Sequence, residues 1–172
     1  TAGRTTLAGE GLQHDDGHSH VLASTVPACR AYDPAYAYEM ASIIRDGIDR
    51  MYVKGEDVFY YVTMYNENYP QPPRPEGVTE GILRGLYRFR AAPDLGPDAP
   101  GVRLVGSGSI LQQVLVAADL LQEKFGVAAE VWSAPSFALL RRDALDAERW
   151  SRLHPDQPAR VPYVSEQLPD DG

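Results

Sequence analysis

The stretch "VRLVGSGSILQQVLVAADLLQEKFGVAAEVWSAPSF", Val102–Phe137, decides the fold class. "VRLVGSGS" reads as a strand ended by a Gly-Ser turn. Leu111, Val114, Leu115, Ala118, Leu121 and Phe125 then recur at helical spacing. Gly126 follows at the position where a left-handed residue closes a helix. "AAEVWSAPSF" reads as a second strand, and "ALLRRDALDAERWSRLH" as a second amphipathic helix. Strand, helix, strand and helix joined by short connections favour a parallel α/β sheet.

Upstream, "TEGILRGLYRFR" predicts a short helix passing into a strand, and "PDLGPDAPG" a surface loop. "NENYPQPPRPEG" sets four prolines between Pro70 and Pro75, removing backbone donors and blocking helix and strand alike. A domain boundary is expected there, with residues 1–75 in one unit and 76–172 in the next. "DVFYYVTMYN" predicts a buried strand between Gly55 and Asn66. In "AYAYEMASIIRDGIDRMYV", Tyr36, Met40, Ile43, Ile44, Ile48 and Met51 fall at helical spacing. Asp33-Pro34 supplies a cap and a first-turn proline, predicting a helix over Pro34–Val53. "HVLASTVPACRAYDP" suggests one or two short extended pieces. Thr1–His20 reads as a glycine-rich loop with a helical turn near Gly9–Gln13. The chain opens "TAGRTTLAGE" and closes "VPYVSEQLPDDG" just after a strand-like run, so both ends read as cuts inside a longer chain.

The 172 residues suffice for one domain or parts of two, and the hydrophobic content of 44% marks a folded chain. A net charge of −8 with no run of Lys or Arg argues against nucleic acid. The single cysteine, Cys29, excludes an internal disulfide framework and fits a reducing cytoplasm. No apolar stretch approaches a membrane span, and no signal-peptide core is present.

Chemistry concentrates in "GLQHDDGHSH", where three of the four histidines (His14, His18, His20) are interleaved with Asp15 and Asp16. Three readings stand. A zinc site lacks a matching spacing and a cysteine partner. An acidic-histidine surface loop is the second. The third is a tight loop, shaped by Gly9, Gly11 and Gly17, that presents His14 and Glu10 to a cleft for proton transfer or oxyanion binding. "GSGS" at Gly106–Ser109 has amides that could cradle an anion, but it lacks the rest of a dinucleotide fingerprint and has no P-loop lysine. Strand-to-helix turn chemistry accounts for it. Cys29 reads as a small buried side chain, "RRDALDAERW" as a solvated face with i,i+4 charge pairs, and His154 as a helix-end residue.

"GRTTLAGEGLQHDDGHSH", "YDPAYAYE", "NENYPQP", "PEGVTEGI", "LVGSGSIL" and "ERWSRLHP" followed by "RVPYV" resemble the homodimeric-type bacterial pyruvate dehydrogenase E1 component family, in order and spacing, from Gly3 to Val164. The alanine- and arginine-rich composition is similar to that of actinobacterial members. The resemblance implies parts of two transketolase-like three-layer α/β domains: the end of the middle, pyrimidine-binding domain and the first part of the C-terminal domain. It implies a thiamine diphosphate and Mg²⁺ enzyme of the cytoplasm. The family's Gly-Asp-Gly…Asn metal and diphosphate motif is absent here, as is its aminopyrimidine-contacting glutamate. No cofactor-binding or metal residue of this chain is therefore assigned.

By the same resemblance, Glu10 and His14 match acidic and histidine positions lining the active-site channel. "DDGHSH" resembles a transketolase loop, Asp-Gly-Pro-Thr-His, which would bring Asp16 and His20 near the substrate; His18 stands where that loop has proline. The implied reaction is oxidative decarboxylation of pyruvate with reductive acetylation of a lipoyl domain on the dihydrolipoyl acyltransferase. In such chemistry a cationic histidine holds a carboxylate oxygen, and a neutral one accepts or returns a proton. A transketolase-type enzyme is the nearest alternative, and "NENYPQP" and "ERWSRLHP" argue against it. A non-catalytic structural fragment is the alternative of another class.

Overall fold

The computed structural model describes residues 17–65 and 68–169. Its elements run α1 (Ser19–Ser24), β1 (Cys29–Tyr32), α2 (Ala37–Ile48, continued by a π-helical turn Asp49–Val53) and β2 (Phe59–Val62). After the proline-rich stretch come α3 (Thr79–Arg84), β3 (Tyr87–Arg90), β4 (Gly101–Gly106), α4 (Ile110–Phe125), β5 (Ala128–Ser133), α5 (Phe137–Leu153) and α6 (Tyr163–Gln167).

The β4–α4–β5 unit forms as its sequence predicts. Its strands run parallel, in register from Gly101 opposite Ala128 to Gly106 opposite Ser133. β1 and β2 form a separate parallel pair with α2 as the crossover. The sequence does not announce that β3 joins β5 antiparallel, giving a three-stranded order β3-β5-β4. The α/β class holds.

Several local expectations are corrected. The helix predicted from Pro34 begins at Ala37 with Tyr36 as N-cap, because Asp33 and Pro34 remain in the extended exit from β1. Its buried face carries Glu39, Ser42, Ile43 and Gly47, whereas Ile44 and Ile48 are exposed. On α4, Phe125 extends the apolar spacing past the packed region and is exposed. β2 is only partly covered, and Phe59 faces outward. The "HVLAS" piece is helical, and "VPYV" opens α6 instead of a strand: Pro162 accepts from the amides of Ser165 and Glu166 to begin a turn. The helical turn expected at Gly9–Gln13 lies outside the described residues.

The two halves share a core. Ala35 and Tyr36, which follow β1, pack with Leu111 and Ala118 of α4 and with Ala129 and Val131 of β5. Tyr32 and Ile43 pack with Ile82, Tyr87 and Leu139. The proline-rich stretch is tied in as well: the Tyr69 hydroxyl donates to the Ala35 carbonyl, and Gln71 Oε1 accepts from the Ala37 amide at 3.0 Å.

Candidate active site at the strand ends

Parallel strands release their chains at one end, where loops and helix N-termini converge and ligands of open α/β sheets bind. Here β1, β4 and β5 deliver Asp33, Gly106–Ser107 and Pro135–Ser136 to one place, and α4 and α5 begin beside it. Together with His20 from α1 these surround a cavity of about 430 Å³. Val105, Ile110, Phe137 and Ala138 complete a mostly apolar wall.

Asp33 is the hub. Its Oδ1 accepts from the hydroxyls of Thr63, at 2.5 Å, and Tyr65, and its Oδ2 accepts from Ser107 Oγ at 3.0 Å. Its amide donates to the Pro135 carbonyl at 2.7 Å, and its own carbonyl accepts from the Gly108 amide at 3.0 Å. The side chain therefore collects hydroxyls from both halves, a use that explains its near-complete burial. Read from sequence, Asp33 is only a helix cap. An aspartate followed by proline at a strand end gives no hint of partners dozens of residues away.

Of the four site residues expected, Glu10, His14 and Asp16 lie outside the described residues. His20 lies at the cavity. Its Nε2 is 3.3 Å from Thr63 Oγ1, and its ring meets Tyr61 edge-on at 5.3 Å. Thr63 has one hydroxyl proton, and the shorter bond to Asp33 takes it. Thr63 Oγ1 then accepts from His20, which sets the imidazole tautomer with Nε2 protonated. With Nε2–H given to Thr63, the neutral ring can accept a proton at Nδ1, and it can donate to an oxygen anion there only once it has done so. His18, the N-cap of α1, is exposed. Among the described residues no three His, Cys, Asp or Glu side chains meet as metal ligands.

The Gly106–Ser109 turn joins β4 to α4, and its Gly106 and Ser107 line the cavity. Gly108 has φ +52°, and a Cβ there would meet the Tyr65 hydroxyl and would stand 2.8 Å from the Asp33 carboxylate. Cys29 is buried, and burial pushes its thiol above its ordinary value against the opposing charge of Arg142. Beneath the cavity a second buried carboxyl, Glu39, is also raised by burial, opposed by hydrogen bonds from Tyr87, Ser133, Ala35 and Tyr36. Burial and the Glu39 charge drive the Tyr87 phenol upward, so it stays protonated as a donor.

Among the described residues no helix is long and apolar enough to cross a membrane. The model of the pyruvate dehydrogenase E1 component middle domain matches residues 1–72, and that of the transketolase-like C-terminal domain matches residues 85–172. The pyruvate dehydrogenase E1 component of Pseudomonas aeruginosa is 57% identical over 168 residues, covering 98% of this chain and 19% of the relative. That of Escherichia coli K12 is 51% identical over 171 residues, covering 99% of this chain and 19% of the relative. A transketolase variant from Pichia stipitis superposes with TM-score 0.58 at 17% identity, covering 77% of this chain and 18% of that one, a likeness of fold alone. The chain thus spans about a fifth of the length of the curated relatives it matches. Two contiguous domain matches and identity near one half along almost all its residues place the chain in the pyruvate dehydrogenase E1 component family.

Proposed function

We propose that this chain is the part of a pyruvate dehydrogenase E1 component that forms one wall of the active site. The observation that carries the reading is the 57% identity over 98% of the chain to a relative bearing that name. The cavity at the strand ends, with a tautomer-fixed His20, supports it. The whole enzyme oxidatively decarboxylates pyruvate and passes the acetyl unit to the lipoyl domain of the dihydrolipoyl acyltransferase, as a cytoplasmic homodimer. Residues 1–75 close the middle domain, and residues 76–172 open the C-terminal domain.

Thiamine diphosphate, bound with Mg²⁺ by residues outside this chain, supplies the electron sink for decarboxylation. This chain's residues bind, orient and move protons. Glu10, His14, Asp16 and His20 line the channel: the histidines hold the pyruvate carboxylate or carbonyl oxygen and exchange protons with it, and the carboxylates orient and tune them. Asp33 fixes Thr63, and Thr63 fixes the His20 ring.

The test uses the full-length enzyme with thiamine diphosphate and Mg²⁺, assayed with pyruvate and an acetylatable lipoyl domain. His14→Ala is expected to lower kcat by ~10²–10⁴-fold with cofactor affinity nearly unchanged, and His18→Ala to do far less. Full-length enzyme that acetylates no lipoyl domain from pyruvate would overturn the reaction. Near-normal turnover of His14→Ala would overturn that residue's role.

A further inference from the structure

Behind the cavity, one carboxylate braces two walls that also meet directly, through the Asp33 amide on the Pro135 carbonyl at 2.7 Å and the Ser136 hydroxyl on the Ala31 carbonyl at 2.6 Å. Glu39, on the first turn of α2, is fully buried. Its Oε2 accepts from the amides of Ala35 at 2.5 Å and Tyr36 at 3.4 Å, the turn that carries Asp33 out of β1. Its Oε1 accepts from Tyr87 on β3 at 2.6 Å and from Ser133, the last residue of β5, at 2.7 Å. Ser133 lies two residues before Pro135, and Asp33 two before Ala35, so each oxygen of Glu39 grips the chain just behind one wall. We propose that Glu39 is a positioning residue for the cleft: beside the direct bond of Asp33 to Pro135, the length of its side chain, more than its charge, holds the turn after Asp33 in place against the end of β5 and so orients the two walls. The inference rests on reading the cleft as part of the active-site wall.

The hydrogen-bond pattern separates length from charge. In Glu39→Gln the amide oxygen takes the two backbone donors, and the amide NH₂ donates to Tyr87 and Ser133. Those hydroxyls can turn their own protons elsewhere; Tyr87 has Tyr38 Oη at 2.7 Å, where either atom can be the donor. The bridge survives without its charge. In Glu39→Asp the charge survives, but the side chain is one methylene too short to hold both walls.

Both variants are made in the full-length enzyme, and kcat, KM for pyruvate, thiamine diphosphate affinity and amide exchange are measured. Glu39→Asp is expected to lose ~10- to 100-fold in kcat/KM, the scale set by misplacing positioning groups by about an ångström. Its cofactor affinity should stay within ~2-fold of wild type, since those anchors lie elsewhere, and Glu39→Gln should stay within ~3-fold in kcat/KM. The amides of Ala35 and Tyr36 should exchange at least ~10-fold faster in Glu39→Asp with that of Ile43 unchanged. Equal damage in Asp and Gln, or a harmless Asp, overturns the proposal. Should Glu39→Asp not fold, Ser133→Ala, which removes one bond of the bridge at little change in volume, must show the same kinetic direction, and an unchanged kcat/KM overturns the proposal. A wild-type enzyme inactive toward pyruvate overturns the reaction instead, and the exchange measurement still decides the positioning claim.

Discussion

Gly108 shows how much can depend on one missing methyl group. Its amide donates to the Asp33 carbonyl, and a Cβ added to it would meet the Asp33 carboxylate and the Tyr65 hydroxyl. Gly108→Ala imposes a left-handed backbone on an L residue and pushes a Cβ against a hydrogen-bonded cluster that has nowhere to go. Gly96 has φ +95° with no atom within 4 Å of its would-be Cβ, so Gly96→Ala carries the backbone cost alone. The backbone strain costs about 1–2 kcal/mol. Gly108→Ala is expected to cost at least about 2 kcal/mol more than Gly96→Ala, on the scale of overpacking. Denaturant unfolding of both variants checks it; equal midpoints would show that the Asp33 cluster yields easily. Neither role is legible in the sequence. "GSGS" announces a turn, but the contact that forbids a side chain comes from Asp33 and Tyr65, far upstream.

At the scale of elements, α5 does more than present a charged face. The sequence reading gave "RRDALDAERW" i,i+4 charge pairs, whereas Arg142 and Asp143 reach other elements. Arg142 donates to the carbonyls of Pro27 at 2.9 Å, Val26 at 3.2 Å and Cys29 at 3.1 Å, pinning the turn that enters β1. Asp143 accepts from the Tyr163 amide at 2.7 Å and so sets the start of α6. Ser136 caps the helix through the Leu139 amide while its hydroxyl donates to the Ala31 carbonyl at 2.6 Å. One helix thus fastens both halves and the chain that follows it. Arg142→Ala, losing three charge-assisted bonds in a partly exposed setting, is expected to destabilise by about 1–3 kcal/mol. Amide exchange should quicken at Cys29 more than within β4. Uniform acceleration would mean that Arg142 adds general stability without holding the β1 entry. The helix itself was legible from periodicity, although Ser136 and Phe137, its cap and first residue, read as part of the preceding strand. Its partners were not legible, because arginine on a helix surface looks the same whether it meets water or a carbonyl.

For the whole molecule, the described residues form two sheets joined through a shared core and through the Asp33 and Glu39 clusters, without a metal-ligating group. Because its sequence lacks the Gly-Asp-Gly…Asn motif and the aminopyrimidine-contacting glutamate that the family resemblance calls for, the isolated 172-residue chain is expected to bind thiamine diphosphate more weakly than micromolar even with Mg²⁺ present. A calorimetric titration giving micromolar affinity, about −8 kcal/mol, would show that the chain itself carries an anchor. Local pattern was enough for the elements with strong, short-range signals: the β4–α4–β5 unit, with a glycine stop after α4, the α3–β3 transition and α5. The uncommon blocks "NENYPQP" and "LVGSGSIL" were enough for the family. His20 was raised as a site residue by the family resemblance of "DDGHSH", and not by local composition. Tertiary structure decided which face of α2 is buried, that β3 pairs antiparallel, that "VPYV" leads into a helix instead of a strand, and that Asp33 and Glu39 are hubs. The physical reason is common to these. Hydrophobic period and turn chemistry act between residues a few positions apart and are written in the local sequence. A buried carboxylate is tolerable only where distant donors converge on it, and that convergence exists only once the chain has folded.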